Sequence, residues 1–564
     1  PSSTGTYTIE GEFEMCAYNL FEIEGGEVVI EGAISGASGL RKEGEGVMIL
    51  RGDNSFGSVS GGIGCTGGEL RIEGVNQFTS SASVLRGDLV LAGPAPVDSP
   101  GTLGNASSDV AVGADSGVFG GITTPARLII EGNHEIARGI AFAAGIFDKR
   151  LGARGTGAEA AEFSGAVTLR PDSAETKLFA EGVSDLVNFS GNISGGDASL
   201  TMEINPDGAE GTVRFSGADK TYENTTFVRG GVLELALGTR ISGEVVLESD
   251  TAGRAVARGS GVFGGGIEVT EGGLIAPGIG VGTLVSSSQN WDAGGACEIE
   301  IKDSGAGPGI GWDLISIDGV LGLSATPETP FVINIRSLTA SGESGPTAGF
   351  SPTQEYSWKI VETTDGVNGF TGDEFIIRRD GFSGGTEGVF AVTFEEGDSA
   401  IHLTYTPVTG GSTVQTWLAE NFTAEELSDT SISGWGADGD SDGLPTLLEY
   451  ALGGNPKSRD TDLAPVLGIG SPAGNADGLR LTLTFNRLIN RADIDYRVQA
   501  ADSLDGDWIA IGEILGGGDP VGLNGGAVSS ETANGATQKV TFADSVRVEE
   551  AVKRFIRLQI TRRP

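Results

Sequence analysis

The sequence predicts an all-β protein whose larger part is a parallel β-solenoid. Glycine is abundant, at 94 of 564 residues, or more than twice the share in average proteins. Short alternating apolar segments end in glycine and recur about every twenty residues in the first part of the chain. Collagen is excluded because glycine does not occupy every third position and the chain has only 20 prolines.

The repeated unit has two apolar residues in alternation, then one further residue, then glycine. Its glycines are Gly32, Gly52, Gly74, Gly93 and Gly132, separated by 20, 22, 19 and 39 residues, and the last interval is interpreted as two units. Alternation turns one set of side chains inward, and glycine permits the positive φ of a sharp corner. The unit occurs at residues 28–32, 48–52, 70–74, 89–93, 128–132 and 213–217, with related strands at 233–235, 245–247 and 267–269.

One coil of this length cannot bury its inner face alone, whereas stacked coils share a continuous core. Parallel strands stacked about 4.8 Å apart would form a β-helix. The alternative is a β-sandwich with hairpin turns. Hairpins place a turn every 8–12 residues or so, which is about half the spacing observed, so the spacing favours the solenoid.

The charge balance limits the possible partners. The formal net charge is −41 and the pI is about 4.3, so the protein repels phosphate backbones and nucleic acid is not an expected partner. No apolar stretch reaches the 18 or so residues of a transmembrane helix. The chain starts at Pro1 without a signal-like segment, which leaves open both a removed leader and a longer precursor.

The three cysteines do not form a metal-binding or redox motif, because no Cys-x-x-Cys pair is present. A disulfide between Cys16 and Cys65 is conceivable in an oxidising compartment. The repeat register places them about two coils apart, near 10 Å, which exceeds the usual Cα separation in a disulfide. Buried thiols are therefore expected, with Cys297 also unpaired.

Segments 39–74 and 211–236 resemble autotransporter-associated β-strand repeats, and segment 259–284 is similar to the coil that closes such passengers. Residues 311–323, 356–370 and 401–407 are similar to the region after the repeats in large secreted proteins of Verrucomicrobia-like bacteria. The resemblance implies a right-handed parallel β-helix that is secreted and exposed at the cell surface.

The chain is divided into four predicted regions. Residues 1–285 form the solenoid, and residues 286–408 form a β-rich cap that shields its open end. Residues 409–462 contain a linker, placed at 408–416, and a helical calcium-loop segment. Residues 463–564 form an antiparallel β-sandwich. The aromatic residues of the cap are predicted to be core, with a carbohydrate-stacking face as the alternative: Trp291, Trp312, Phe331, Tyr356, Trp358, Phe370, Phe375 and Phe390.

Two short helices are predicted on either side of an acidic loop. Thr423 followed by Glu426 fits a capping box. Residues 447–452 are predicted to form the second helix, which ends at Gly453 with Pro456 shortly after it.

The loop between the helices matches the spacing of a twelve-residue EF-hand calcium loop. Alternating aspartates supply carboxylates, Gly443 permits the chain reversal, and a glutamate at position 12 closes the shell around a hard ion that prefers six to eight oxygens. The predicted ligands are Asp438, Asp440, Asp442, the carbonyl of Leu444, Thr446 through a water, and Glu449.

Pro445 replaces the residue that normally pairs with a second loop, and proline has no N–H to offer. The sequence therefore predicts a lone structural calcium site, of the kind found in dockerin-like or thrombospondin-type repeats. The alternative is an acidic turn without an ion. Segments 417–427 and 437–456 also resemble the C-terminal module of the secreted bacterial proteins, which implies the same ligand set.

We expect a non-catalytic extracellular structural or adhesive surface protein that assembles into fibres or a surface layer through solenoid ends and flanks. Parallel β-helices also host polysaccharide lyases and hydrolases, so the alternative is a polysaccharide-active or carbohydrate-binding protein. Such enzymes need converging carboxylates. Glu31, Glu73 and Glu131 are interpreted as a solvated outer face, and His134 and His402 lack a nucleophile context.

Overall fold

The computed structural model describes residues 5–16, 19–113, 124–145, 148–171, 176–250, 253–383, 388–407, 414–427, 429–460, 463–471, 478–489, 491–533, 537–551 and 553–563, without side chains at 58–61, 415, 416, 419, 424 and 531–533. The chain forms two compact units. The first comprises Pro1–Gly349, Trp358–Phe382 and Val392–Leu403, and the second comprises Phe350–Ser357, Ser383–Ala391 and Thr404–Pro564.

Short strands dominate the first 406 residues. Strands β1 to β40 are, in order, Thr6–Ile9, Phe13–Met15, Asn19–Glu22, Glu27–Ile30, Ile34–Glu43, Val47–Leu50, Ser55–Ile72, Ala82–Leu91, Val110–Val112, Ala126–Glu131, Glu135–Ile136, Ile140–Phe142, Lys149–Arg154, Ala161–Phe163, Val167–Leu169, Thr176–Ala180, Leu186–Phe189, Ile193–Gly195, Thr201–Ile204, Thr212–Phe215, Lys220–Tyr222, Thr225–Val228, Val232–Leu235, Arg240–Ile241, Val245–Leu247, Ala255–Gly259, Val262–Phe263, Ile267–Val269, Gly273–Pro277, Thr283–Ser286, Gln289–Trp291, Ala296–Ile301, Leu314–Ile317, Leu321–Leu323, Phe331–Ser337, Tyr356–Thr363, Val367–Asn368, Phe375–Gly381, Val389–Glu395 and Ala400–Thr406.

Parallel pairing arranges most of these strands on three faces, each containing one strand per coil. Face A contains β1, β4, β6, β7, β8, β10, β13, β16, β19, β22, β25, β28, β31, β34 and β37. Face B contains β2, β5, β7, β8, β9, β12, β15, β18, β21, β24, β27, β30, β33 and β36, and the long strands β7 and β8 join it to face A. Face C contains β11, β14, β17, β20, β23, β26, β29, β32, β35 and β38. The prediction of an all-β protein with a solenoid-type parallel sheet is confirmed.

The register corrects two details of the predicted repeat. Leu89 in β8 pairs directly with Leu128 in β10, so the 39-residue interval is one enlarged coil and the interpretation as two units is wrong. The additional residues include β9, whose Val110 pairs with Ile140 of the next coil. The unit at 213–217 lies on face C, whereas the earlier units lie on face A. Each coil has a strand on more than one face, and these strands share the same pattern of alternating apolar residues. The same sequence motif therefore occurs at different corners of the coil.

Close packing between coils requires glycine at the end of several face A strands. A Cβ atom added to Gly52 would lie 2.4 Å from the carbonyl oxygen of Gly32, and one added to Gly74 would lie 2.2 Å from that of Gly52. None of these three glycines has a φ in the left-handed region. The predicted need for positive φ is therefore wrong for these three glycines, where the stack requires the absence of a side chain. It is confirmed for Gly132 and Gly217, whose φ angles are 82° and 64°.

Parallel stacking continues past residue 285, where the solenoid was predicted to end. Trp291 of β31 pairs with Leu323 of β34, and Phe331 of β35 pairs with Phe375 of β38. The rings of Trp291 and Phe331 stack at 4.4 Å. The predicted core role is confirmed for Trp291, Trp312, Phe331 and Trp358, which are buried; the remaining predicted aromatics are half-buried, namely Tyr356, Phe370, Phe375 and Phe390.

Arginines interleave with the outer carboxylates of face A. Arg51 lies between Glu31 and Glu73 of the neighbouring coils, at 2.7 and 2.9 Å. Arg154 contacts Glu131 of the preceding coil at 3.3 Å. These glutamates lie on the outer face, as interpreted, but they do not form an unpaired row of like charges, because each one is paired with an arginine of an adjacent coil.

The second unit contains the helices of the described chain and two antiparallel sheets. Helices α1 to α4 are Val414–Asn421, Ala424–Leu427, Thr430–Ser433 and Thr446–Leu452. Strands β41 to β48 are Val466–Gly470, Arg480–Leu488, Ile494–Ala501, Ile509–Leu515, Val521–Gly522, Ala527–Ala533, Thr537–Arg547 and Phe555–Arg562. A 3₁₀ turn is formed by Val548–Glu550. The sheet orders are β41-β42-β47-β46 and β45-β44-β43-β48. In the described part of the chain, no helix has the length and apolar character needed to cross a membrane.

The two sheets contribute to one apolar core. Phe485 and Phe542 of the first sheet are buried in the same cluster as Tyr496 and Ile511 of the second. The predicted capping box is confirmed, because Thr423 N donates to Glu426 Oε2 at 2.8 Å and Glu426 N donates to Thr423 Oγ1 at 3.3 Å. Of the predicted linker, residues 408–413 lie outside the described residues and residues 414–416 belong to α1.

All three cysteines are free thiols, but only two are buried. Cys16 is exposed, which contradicts the prediction of buried thiols, whereas Cys65 and Cys297 lie in the core. Burial raises the pKa of the Cys65 thiol to about 11 and raises the pKa of Cys297 further.

A thiol-modifying reagent at pH 8 is therefore expected to label Cys16 alone in the folded protein, because the thiolate is the reactive form. Mass spectrometry of a tryptic digest measures this, with Cys16→Ser as the unreactive control. Rapid labelling of Cys65 or Cys297 before denaturant is added would contradict the buried placement.

Candidate metal centre

The acidic loop lies between α3 and α4. Helix α4 begins after Pro445, which is extended, and ends at Gly453, whose φ of 89° is left-handed. The Gly453 N–H donates to the carbonyl of Glu449 at 2.8 Å. Because the helix begins at Thr446, Glu449 lies in its first turn, next to the acidic loop.

The aspartates of the loop accept hydrogen bonds from its own backbone. Asp438 accepts from Asp442 N at 3.1 Å and from Gly443 N at 3.0 Å. Asp442 accepts from Leu444 N at 2.8 Å. Carboxylate oxygens of Asp438, Asp440 and Asp442, one from each, lie within 4.8 Å of one another. The backbone thus holds three carboxylates in one small volume.

Glu449 is the most informative side chain of the cluster. It is 1% exposed, and among the described residues neither of its carboxylate oxygens has a hydrogen-bond partner. One carboxylate oxygen of Asp440 is also buried and has no hydrogen-bond partner among the described residues. Burial, together with the negative charges of Asp440, Asp442, Asp460 and Asp438, raises the pKa of Glu449 to about 7.

An uncompensated buried carboxylate is costly. A cation placed among these oxygens would remove that cost and the mutual repulsion. The donor set contains only oxygens, which suits a hard ion such as Ca²⁺ rather than a transition metal. The residues present therefore fit a calcium ion.

Among the predicted ligands, the structure brings Asp438, Asp440 and Asp442 within 4.8 Å of one another and places Glu449 where their charges raise its pKa. Leu444 is buried next to them, with its N–H on Asp442. Thr446 is fully buried and its hydroxyl donates to the carbonyl of Ala437 at 3.0 Å. That contact holds the two ends of the loop together.

Asp460 is a charged neighbour that the sequence analysis missed. Its N–H donates to Asp442 Oδ2 at 2.8 Å, and its charge contributes to the raised pKa of Glu449. It lies eleven residues beyond the last position of the EF-hand pattern. A pattern confined to twelve consecutive residues could not have found it.

Helix α4 connects the acidic loop to the C-terminal sheets. Tyr450 is fully buried and its hydroxyl donates to both carboxylate oxygens of Asp493, at 2.9 and 3.0 Å. The guanidinium of Arg491 lies 4.1 Å from the centre of the Tyr450 ring. The hydroxyl of Tyr496 donates to the carbonyl of Ala451 at 2.7 Å. Glu449 is therefore followed directly by residues that contact the core of the C-terminal sheets.

A second group of potential ligands lies in the first unit. Single ligand atoms of Glu395, Asp398 and His402 lie within 4.8 Å of one another. The ammonium of Lys359 is 3.0 Å from the carboxylate of Asp398. That cation balances the aspartate, and both carboxylates are exposed, so this group lacks a buried unpartnered carboxylate like Glu449 and is the weaker candidate.

No known protein-family model matches the chain, and no curated protein matches it either. The fold and the acidic loop define an all-β protein with a parallel solenoid and a candidate site for a hard cation.

The raised pKa of Glu449 predicts how stability depends on pH when calcium is absent. The protonated form stabilises the fold fully below pH 4.5, the ordinary pKa, and this contribution is lost as the pH rises through about 7. In a chelator, the unfolding free energy is expected to fall by on the order of 2 kcal/mol between pH 5 and pH 8.

Urea unfolding at several pH values measures this effect, with Glu449→Gln as the matched control that cannot titrate. The wild-type protein should lose more stability than the variant over this pH range. Parallel pH curves for the two proteins would show that Glu449 titrates normally.

Proposed function

We propose that this chain is a non-catalytic structural or adhesive protein of the bacterial surface, built on a right-handed β-solenoid and ending in a calcium-clamped C-terminal β-sandwich. The observation that carries the proposal is the pairing of outer carboxylates with arginines of adjacent coils. Glu31 and Glu73 share Arg51, and Glu131 pairs with Arg154. Carboxylates held in this way stabilise the stack, whereas glycoside cleavage needs a pair that faces a bound sugar.

The calcium part of the proposal is supported by the unpartnered Glu449 beside three aspartates. Calcium is abundant outside cells, and extracellular modules bind it with dissociation constants of about 10⁻⁴–10⁻³ M. A site of this type is expected to be filled at the cell surface. Its role is structural, because α4 lies against the C-terminal core through Tyr450.

The net charge of −41 bears on assembly. Two copies with this charge repel each other, and divalent cations that bridge acidic flanks would reduce the repulsion. We therefore propose homo-oligomers or fibres that form through solenoid ends and flanks when calcium is present, with extracellular polysaccharide as a further partner.

Negative-stain electron microscopy of the purified full chain, with millimolar calcium and with chelator, tests the proposal. Filaments or sheets are expected with calcium, and dispersed particles with chelator. Antibody labelling of intact producing cells is expected to place the protein on their surface.

Particles that remain dispersed under both conditions, together with release of reducing or unsaturated ends from a panel of acidic polysaccharides, would replace this proposal by the enzymatic alternative.

A further inference from the structure

A short segment after α4 returns across the acidic loop. This segment, residues 453–460, is called the strap. The side chain of Arg459 donates to the carbonyl of Asp440 at 3.2 Å, and the N–H of Asp460 donates to Asp442 Oδ2 at 2.8 Å. The strap carbonyl of Pro456 lies against Gly439, where an added Cβ would be only 2.8 Å away. Three contacts therefore hold the strap on the loop.

The strap places a fifth carboxylate beside the four of the predicted site. A Cβ added to Gly454 would lie 3.1 Å from Asp460 Oδ2 and 3.2 Å from the Cβ of Glu449, so the two acidic side chains flank the same glycine. One Asp460 oxygen accepts from Asn455 N at 2.6 Å. Asp460 thus lies beside Glu449 on the strap side, and its charge acts on that carboxylate together with the charges of the loop aspartates.

The buried side chain of Glu449 is a separate indication that a ligand binds between the loop and the strap. It is 1% exposed and has no hydrogen-bond partner among the described residues. Without a cation these neighbouring carboxylates repel one another, and the strap residues Lys457 and Arg459 are exposed, as are parts of the acidic loop itself. Repulsion is therefore expected to loosen the strap together with the loop.

We propose that Asp460 belongs to the calcium site and that bound calcium fixes the strap on the acidic loop. This inference rests on the calcium site proposed above. Asp460 adds negative charge around the cation. The carboxylate of Asp442, a predicted loop ligand, also accepts a hydrogen bond from Asp460 N, so the loop is joined directly to the strap. Calcium binding then orders the loop and the strap together.

Calcium titration of the full chain by calorimetry, with Asp460→Asn, tests the role of the charge. Asparagine keeps an oxygen that can accept from Asn455 N, so the turn is preserved. The variant is expected to bind calcium about tenfold more weakly than the wild type. The matched control is Asp505→Asn, an exposed carboxylate of the same unit, which should bind like the wild type.

Limited trypsin digestion tests the strap itself, because Lys457 and Arg459 are exposed cleavage sites. Calcium is expected to slow cleavage after Lys457 by about tenfold or more in the wild type, since protease access follows the open population. In Asp460→Asn this protection should be reduced at the same calcium concentration.

The outcomes separate the two proposals. If the wild type binds calcium and Asp460→Asn shows the same affinity and the same protection from trypsin, the inference is overturned and the proposed calcium site stands. Absence of calcium binding by the wild type would overturn both. Weaker binding together with lost protection supports the inference.

Discussion

Replacement of Glu449 by glutamine is expected to weaken calcium binding by on the order of 100-fold. Glutamine keeps the size of the side chain but removes one negative charge and one of the two equivalent oxygens. Calorimetric titration of the full chain measures the change. The expected loss is larger than for Asp460→Asn, because Glu449 is fully buried and both of its oxygens lack another partner among the described residues.

The same substitution should stabilise the protein when calcium is absent. At pH 8 it removes a buried charge that lies beside Asp438, Asp440, Asp442 and Asp460. Urea unfolding in chelator is expected to show Glu449→Gln at least as stable as the wild type, whereas in millimolar calcium the order reverses. This reversal distinguishes a lost ligand from a damaged fold.

The matched control is Glu420→Gln, which changes an exposed carboxylate on α1. It should leave both calcium affinity and stability unchanged. Equal calcium affinity in the wild type and in Glu449→Gln would show that the buried carboxylate is not a ligand.

Replacement of Lys220 by methionine is expected to destabilise the solenoid by on the order of 3–5 kcal/mol. Lys220 is fully buried, and its ammonium donates to the carbonyls of Gly191 and Ser216 at 2.8 Å and of Ala218 at 2.5 Å. These carbonyls belong to two successive coils, so one cation joins them. Methionine fills similar space without a donor and leaves three carbonyl groups without this partner.

Thermal and urea unfolding measure this loss. The matched control is Lys302→Met, a half-buried lysine of the same unit, where the change should stay below about 0.5 kcal/mol. If Lys220→Met were as stable as the wild type, the buried ammonium would not contribute to holding the coils together.

The fold was predictable where the coil length is constant. The first face A strands are regularly spaced, and their apolar positions pair in the observed register, as with Val28, Met48 and Leu70. Beyond residue 285 the strands still stack, but excursions at the corners lengthen the coils. Ile315 pairs with Val361 of the next coil, 46 residues later. Such insertions leave the strand register intact and remove the period from the sequence, which explains the misplaced end of the solenoid.

The charge pairing and the role of glycine were not visible in the sequence. Each depends on which residue the neighbouring coil places alongside, as with Arg51 between Glu31 and Glu73 or Gly52 against Gly32. A search for local patterns identifies the carboxylates and the glycines but not their neighbours.

The candidate site was predictable in part because its aspartates and Glu449 are close in sequence. Local spacing fixes the loop, and the structure brings these carboxylates together. The burial of Glu449 depends on the packing of α4 against the C-terminal sheets, and the position of Asp460 depends on the strap. Both are consequences of tertiary structure that a twelve-residue pattern does not contain.

The most direct test of the calcium-clamped module is anomalous diffraction from a crystal of the full chain grown with calcium. We predict one strong anomalous peak enclosed by the carboxylates of Asp438, Asp440, Asp442 and Glu449. Clear density for all four side chains with no peak between them, at calcium concentrations typical of the extracellular medium, would contradict it.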